Sequence, residues 1–198
     1  MELTEIMEQL KDSLLGKHME FMHDMYNELN EAQVRFCSDF DLHCKDDCCE
    51  CCKHFQPDIT DLEAQYLAMG LISEGREQEI LDLLDSQPEY PDRCPLCDPV
   101  PGHPHCMIYR WRPLLCRLFG AAVTRDKEGA AAFRNCRWNE HTHAISSAEL
   151  SGSDDVVYMS DYGIRLEEED IDNTETRLLA EALPPAVEKV RLILSYEE

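Results

Sequence analysis

The sequence predicts a mainly helical α+β fold, in which a small β-hairpin and irregular cysteine-rich loops lie between N- and C-terminal helices. Three observations indicate this class. Apolar residues recur at helical spacing near both ends of the chain, cysteines and prolines interrupt the middle, and the turn DKEG separates two short strand-like runs. A chain of 198 residues is long enough to bury a core without disulfides, so we interpret residues 1–198 as a single domain.

The first part of the chain, residues 1–36, is predicted to be one long amphipathic helix. Its apolar residues are spaced by three, by four or by multiples of these: Leu3, Met7, Leu10, Leu14, Phe21, Met25 and Leu29. Residues 37–138 follow as a cysteine-cluster core. Within it, Thr60 and Glu63 form a capping box that begins a second helix, and Gly70 is predicted to close that helix.

The rest of the core and the C-terminal segment are predicted from local patterns. The stretch EQEILDLLDSQ favours a helix, MIYRW a short strand, and Pro113 the first turn of a short helix. The sequence FGAAVTRDKEGAAAFRNC then indicates a hairpin that turns at DKEG. Residues 146–198 are strongly acidic, with a helical pattern from about Thr174 to Tyr196 that is interrupted or restarted at Pro184 and Pro185.

The charge of the chain excludes some partners. Eighteen basic and forty-one acidic residues give a formal net charge of -23, which repels nucleic acid and anionic membrane surfaces. The acidic, amphipathic N-terminus does not resemble a secretory signal, and no apolar run approaches the roughly 18 residues that span a bilayer. We therefore expect a soluble cytoplasmic protein that binds neither nucleic acid nor membrane. The sequence leaves open whether the protein has a protein partner or substrate.

Cysteines are concentrated in two parts of the core, and five of them lie in the nine residues CKDDCCECC, residues 44–52. The complete set is Cys37, Cys44, Cys48, Cys49, Cys51, Cys52, Cys94, Cys97, Cys106, Cys116 and Cys136. An odd number with adjacent pairs, in a chain expected in a reducing compartment, argues against a disulfide framework. Two-residue spacers let a turn direct two sulfurs to one ion, so the pattern predicts a metal site. Zinc, an iron–sulfur cluster and copper(I) all suit sulfur-rich sites.

The order of these cysteines resembles the YkgJ-type cysteine-cluster family of zinc- or iron-chelating domains. The resemblance rests on Cys44-x3-Cys48-x2-Cys51-Cys52, on Cys94-Pro, on CMIY at residues 106–109 and on RPLLCR at residues 112–117. It implies metal ligands at Cys44, Cys48, Cys51, Cys52, Cys94, Cys106 and Cys116, with Cys136 as an eighth. Cys49 and Cys97 depart from the family pattern, so the resemblance leaves open whether they are ligands and how many metals bind.

Basic residues gather beside the second group of cysteines, although the chain as a whole is acidic. Seven lie between Cys106 and Trp138: Arg110, Arg112, Arg117, Arg125, Lys127, Arg134 and Arg137. Four thiolates around a divalent ion keep a charge of about -2, which guanidinium groups offset by donating hydrogen bonds to sulfur. We interpret Arg112 and Arg117 as cofactor-binding on this basis. Pairing of the arginines with the acidic C-terminal segment, or binding of an anionic substrate, are the alternatives.

Other patterns are open to a second interpretation. Cys44-x3-Cys48-x2-Cys51 is also the spacing of radical enzymes that cleave S-adenosylmethionine, but the chain lacks the alternating strands and helices of their barrel. Methionines and histidines at residues 18–25 suit soft metals, although core packing is the more common role of methionine. His103, His105, His141 and His143 are close to cysteines in sequence, and loop histidines more often face solvent. Cys37 is interpreted as a buried thiol.

Two functional classes remain. In the first, zinc, iron or an iron–sulfur cluster organises the fold, is stored or supports a partner, and the protein is a binding module. In the second, the metal keeps an open position for redox or methyl-transfer chemistry on a protein side chain. Flagellin lysine N-methylases, which carry a region similar to the family, illustrate the second class. We find no nucleotide-binding or hydrolase motif and therefore favour the binding module, while enzyme activity stays open.

Overall fold

The computed structural model of the chain describes residues 2–43, 50–87, 93–97, 106–133, 136 and 145–196. The elements in chain order are α1 (Leu3–Leu10), α2 (Leu14–Asp39), α3 (Glu50–Lys53), β1 (Asp58–Thr60), α4 (Asp61–Glu74), α5 (Glu77–Asp85), a 3-10 helix (Tyr109–Trp111), α6 (Leu114–Leu118), β2 (Val123–Arg125), β3 (Ala131–Phe133), α7 (Ser147–Ser151), α8 (Met159–Glu169), β4 (Thr176–Leu178) and α9 (Leu179–Tyr196). Helices predominate, and the strands form two small antiparallel sheets, β1–β4 and β2–β3. The predicted mainly helical α+β class is confirmed.

The N-terminal stretch forms two helices rather than the single predicted helix. Helix α1 ends at Leu10, and helix α2 begins at Leu14. Ser13 causes the break, because its hydroxyl donates to the carbonyl of Leu10 at 2.7 Å and accepts from the N–H of Gly16 at 2.9 Å. A serine that binds the backbone in this way competes with helical hydrogen bonds and caps the following helix. The apolar periodicity continues across the break because both helices face the core.

Helix α4 confirms the predicted capping box but not the predicted end. The Thr60 side chain accepts from the N–H of Glu63, and the Glu63 carboxylate accepts from the N–H of Thr60. The helix continues through Gly70 and closes at Gly75, which has a left-handed φ of 66°. Gly70 allows close packing instead, since a Cβ atom there would lie 2.1 Å from the Trp111 ring. The prediction of a helix end at Gly70 was wrong because this glycine provides space for a side chain.

Helix α4 is the centre of the core. Every residue from Leu62 to Leu71 is buried, because α1, α2, α5 and α9 all pack around it. Strand β1 leads directly into α4, and β4 leads directly into α9, with Asp58 opposite Leu178 and Thr60 opposite Thr176. This pairing explains why residues 176–178, predicted as helix, form a strand. Helix α9 then continues through both prolines, so the predicted interruption was wrong.

The segment between Cys106 and Phe133 positions the cysteines and arginines of the second group. The predicted strand MIYRW was wrong: Cys106 makes an isolated bridge with Cys97, and a 3-10 helix follows. Pro113 immediately precedes α6, and β2 and β3 form the predicted hairpin, whose turn includes a hydrogen bond from the N–H of Gly129 to the carbonyl of Asp126. Across the described ranges, none of the helices has the length and apolar character to span a membrane.

Candidate metal site

Five of the predicted ligands that the structure describes lie on four separate segments. Cys51 and Cys52 are on α3, Cys94 is in segment 93–97, Cys106 precedes the 3-10 helix, and Cys116 is on α6. Cys136 is also described. Cys44, Cys48 and Cys49 lie outside the described residues, as do His103, His105, His141 and His143.

Two turns of the same construction present Cys94 and Cys106. In the first, the N–H of Cys97 donates to the carbonyl of Cys94 at 3.2 Å; in the second, the N–H of Tyr109 donates to the carbonyl of Cys106, also at 3.2 Å. Each turn therefore closes three residues after a cysteine. This construction holds a thiol at the first position of a tight turn.

The backbone of each turn also donates a hydrogen bond to the sulfur. Burial raises the pKa of Cys94 to about 11 and also raises that of Cys106, and in each case a backbone N–H two residues later opposes the rise. The donors are Leu96 for Cys94 and Ile108 for Cys106. Hydrogen bonds from N–H groups to a thiolate favour its charged form, which is the form that binds a metal.

The two turns lie side by side. Cys97 and Cys106 are partners in an antiparallel bridge, and the N–H of Met107 donates to the carbonyl of Leu96 at 3.0 Å. Residues opposite each other in such a pair project to the same face, so the Cys97 and Cys106 side chains share a face. Cys97, which departs from the family pattern, is thus buried beside a predicted ligand.

Helix α3 is attached directly to the first turn. The N–H of Cys94 donates to the carbonyl of Cys52 at 2.8 Å. The sulfurs of Cys51 and Cys52 are 3.8 Å apart, and the hydrogen bond between them lowers the pKa of Cys51 to about 6 and raises that of Cys52. Cys51 consequently has a lower pKa than Cys37, Cys52, Cys94, Cys106 and Cys116.

Electrostatic effects connect these thiols with Cys116. Burial raises the pKa of Cys116, and negative charge on Cys94, Cys106 and Cys51 raises it further. The charges of Cys94 and Cys106 act in the same direction on Cys52, after the hydrogen bond from Cys51 and burial. Like charges that affect one another in this way are close together. The structure therefore brings together Cys51, Cys52, Cys94, Cys106 and Cys116, which we call the cysteine set.

The donor chemistry and one distance fit a thiolate-bound metal. Sulfurs at about 2.3 Å from a tetrahedral zinc ion are about 3.8 Å from each other, which equals the separation of Cys51 and Cys52. Within the described residues, no three cysteine, histidine or carboxylate side chains are gathered tightly enough to hold one ion. The cysteine set thus supplies a close pair of sulfurs, together with the buried thiol of Cys94 and the half-buried thiols of Cys106 and Cys116.

Arg112 is the predicted cofactor-binding residue whose charge acts on several thiols of the cysteine set, whereas the charge of Arg117 interacts with Cys116. The positive charge of Arg112 opposes the rise in pKa that burial causes at Cys106 and Cys116. Its guanidinium carbon lies 4.1 Å from the centre of the Tyr109 ring. The Nε atom of Arg112 is buried and has no hydrogen-bond partner among the described residues.

Arg117 is placed differently, with its guanidinium group buried in the core. Its Nε and one terminal nitrogen donate to the carbonyls of Arg112 and Arg110, both at 2.7 Å, and the other terminal nitrogen donates to Asn30 at 3.0 Å. The guanidinium carbon also lies 4.1 Å from the centre of the Tyr26 ring. These contacts join α2 to the segment that carries Arg112.

The alternative role of the arginines, pairing with the acidic C-terminal segment, applies to Arg125. Its guanidinium group is 3.3 Å from the Asp161 carboxylate on α8. Neither Arg112 nor Arg117 forms an ion pair with a described carboxylate. The two arginines nearest to Cys116 in sequence therefore have other roles in the described structure.

A buried glutamate supports the helix of Cys116, and its capping-box pattern predicts only part of this role. The Glu63 carboxylate accepts from the N–H of Leu114 at 2.8 Å and from the Tyr26 hydroxyl at 3.2 Å, in addition to closing the capping box. It thus fixes the start of α6. Gln33 fixes the same helix by donating to the carbonyl of Arg117 at 2.6 Å. The capping box identifies Glu63 as a cap, but no sequence pattern indicates these long-range partners.

The remaining sequence candidates lie apart or in the core. Cys37 is half-buried on α2, and burial raises its pKa. Cys136 lies near the end of α6, since a Cβ atom on Gly120 would be 3.5 Å from its Cβ atom. Met19, Met22 and Met25 are fully buried, which confirms their packing role. His18 and His23 instead contact Glu169 and Tyr66.

Comparison with known proteins identifies the family. Residues 43–140 match the family model CxxCxxCC, whose description is "Putative zinc- or iron-chelating domain". No curated protein and no solved structure gives a significant match. The matched span contains every cysteine predicted as a ligand, from Cys44 to Cys136. Through this domain, which covers about half of its length, the chain belongs to the CxxCxxCC family, as the order of its cysteines predicts.

Proposed function

We propose that the protein binds zinc or an iron–sulfur cluster through the cysteine set, and that Cys44, Cys48 and Cys136 are further ligands as predicted. The two paired turns carry this proposal. Each presents a cysteine, the buried Cys94 or the half-buried Cys106, whose sulfur accepts a backbone N–H, and such hydrogen bonds to metal ligands orient them and favour the thiolate.

The residues of the chain have distinct tasks in this proposal. The two turns hold Cys94 and Cys106, α3 supplies Cys51 and Cys52 as a close pair, and α6 supplies Cys116. A bound metal would cross-link these segments and so stabilise the fold. We further propose that the protein works in the cytoplasm as a binding module. No arrangement in the described residues favours an enzymatic role over this one.

The test begins with the full-length protein purified without oxygen, by metal quantitation and an absorption spectrum. Zinc gives a colourless protein, whereas an iron–sulfur cluster gives a brown one, so the two readouts identify the bound group. The same measurements are then made on Cys51→Ser and Cys116→Ser. We expect both variants to lose bound metal and to melt at a lower temperature, because metal binding and folding are coupled.

Cys37→Ser is the matched control. It also removes a partly buried thiol, but Cys37 is on α2, outside the cysteine set, and the variant should keep its metal. If Cys51→Ser and Cys116→Ser kept the full metal content, the proposed site would be wrong.

A further inference from the structure

Arg112 holds a hydrogen-bond donor in a buried position where no described group accepts it. The unpartnered atom is Nε, and the guanidinium group forms no ion pair with a described carboxylate. Its contact with the Tyr109 ring fixes the group without using a hydrogen-bond acceptor. Nearly all buried donors in native proteins have partners, so an orphaned one indicates an acceptor that belongs there.

The charges around Arg112 indicate what the acceptor is. Its positive charge acts on Cys51, on Cys106 and on Cys116, which lie on three different segments of the chain. Arg112 also lies against the second turn, because its guanidinium carbon is 4.1 Å from the centre of the ring of Tyr109, whose N–H closes that turn on the Cys106 carbonyl. Once these thiols are ionised and bound to a metal, their sulfurs are strong acceptors for a guanidinium N–H.

The fold keeps Arg112 in this place. Arg117 donates to the Arg112 carbonyl at 2.7 Å and to the Arg110 carbonyl at 2.7 Å, so the backbone on both sides of Trp111 is fixed from the core. The Arg117 donors are used for this purpose, and the Nε donor of Arg112 remains available. The two arginines therefore divide the work between positioning the chain and contacting the site.

We propose that Arg112 is a positioning residue of the metal site, whose Nε–H donates a hydrogen bond to a metal-bound cysteine sulfur. The proposal rests on the proposed function and deepens it. Thiolates bound to a divalent ion keep a negative charge, which Arg112 offsets at short range. Binding of a free anion by Arg112 is disfavoured, since the same thiolates repel it.

The experiment measures metal affinity by competition with a chelator, using full-length wild-type protein, Arg112→Met, Arg112→Lys and Arg110→Met. Arg110→Met is the matched control, because it also removes one positive charge, two residues from Arg112. Arg110 is exposed, and its guanidinium group lies against the Trp111 ring. We expect Arg112→Met to lower metal affinity by about 10- to 100-fold. Arg112→Lys should restore part of that loss, because an ammonium group keeps the charge but not the planar set of donors. Arg110→Met should bind metal like the wild type.

The stability of the metal-free protein provides a second readout. Arg112→Met removes an orphaned donor, so the melting temperature without metal should stay the same or rise while metal affinity falls. If Arg112 had only a structural role, Arg112→Met would lower both the melting temperature without metal and the metal affinity. If Arg112→Met does not fold, Arg112→Lys tests the proposal by itself. Metal affinity equal to that of the wild type in Arg112→Lys would show that Nε makes no contribution.

Three further results would overturn the proposal. Equal losses in Arg112→Met and Arg110→Met would indicate a general effect of charge. Unchanged affinity in Arg112→Met, with metal lost from Cys51→Ser, would reject the role of Arg112 and leave the proposed function intact. Saturable binding of inorganic phosphate by the metal-loaded wild type, abolished in Arg112→Met, would assign Arg112 to a free anion.

Discussion

Cys97 lies directly opposite Cys106 in an antiparallel bridge, although the sequence separates them by nine positions. Residues opposite each other in such a pair have Cα atoms about 4.5–5.5 Å apart, which is within the range that a disulfide requires. We therefore predict that hydrogen peroxide converts the metal-free protein to a form with a Cys97–Cys106 disulfide. Two thiols lose their hydrogens, and the peroxide is reduced to two water molecules.

Peptide mapping by mass spectrometry under non-reducing conditions checks this prediction. The cross-linked peptide should be present in metal-free protein and depleted in metal-loaded protein, where Cys106 is engaged. Cys97→Ser serves as the control and should abolish it. Oxidation products without a Cys97–Cys106 link would contradict the pairing seen in the structure.

The buried carboxyl group of Glu63 should make stability depend on pH. Burial raises its pKa in the folded protein, so between the unfolded value of about 4.3 and the folded value the native state binds more protons. The stabilisation is fully present below the unfolded pKa and is lost as pH rises through the folded pKa. Urea unfolding of wild type and Glu63→Gln at a series of pH values measures this, because the variant cannot titrate at this position.

We expect the wild type to lose stability relative to Glu63→Gln as pH rises from about 4 towards neutrality. Asp61→Asn, which removes a half-buried carboxylate of the same first turn that pairs with Arg177, is the control for loss of a carboxylate at the start of α4. A constant difference between wild type and Glu63→Gln would show that the pKa of Glu63 is not raised.

The amide of Gln56 is buried, and neither its nitrogen nor its oxygen has a partner in the described structure. Replacing an orphaned amide with an apolar side chain of similar size removes a desolvation cost of about 1–3 kcal/mol. Gln56→Leu should therefore raise the free energy of unfolding of the metal-free protein. Gln33→Leu, which removes an amide that is hydrogen-bonded to the Arg117 carbonyl, should lower it. A loss of stability in Gln56→Leu would indicate that its amide has a partner in solution.

Gly70 should not tolerate a side chain. The added Cβ atom of Gly70→Ala would lie 2.1 Å from the Trp111 ring, so the ring must move, at a cost of about 1–3 kcal/mol. Urea unfolding and tryptophan emission measure the loss and the displacement. Gly75→Ala is the control, since it meets no atom within 4 Å and costs only backbone strain, about 1–2 kcal/mol. Unchanged emission in Gly70→Ala would contradict the close packing.

Local signals predicted much of the fold. The capping box of Thr60 and Glu63, helix α5, the hairpin turn at DKEG and the start of α6 after Pro113 all depend on residues close in sequence, and the structure confirms each. The order of the cysteines predicted the family.

The features that sequence did not predict depend on distant partners. Gly70 was interpreted as a helix end, but Trp111 determines its role from 41 positions away. Thr176–Leu178 became a strand because β1 pairs with it, and MIYRW became a bridge and a 3-10 helix because segment 93–97 contacts it. The position of Arg117 likewise depends on Tyr26 and Asn30 of α2. Periodicity and spacing contain no information about such contacts.

The burial of α4 by both ends of the chain has a consequence for the modularity of the protein. Residues 43–140 carry the family signature, yet the helix at their centre is covered by α1 and α2 on the N-terminal side and by α9 on the C-terminal side. During synthesis α9 leaves the ribosome only after the whole of the cysteine-bearing segment has been made. Until then, the apolar surface of α4 that α9 covers stays exposed. Excision of residues 43–140 would therefore yield an aggregation-prone fragment rather than a portable metal-binding unit.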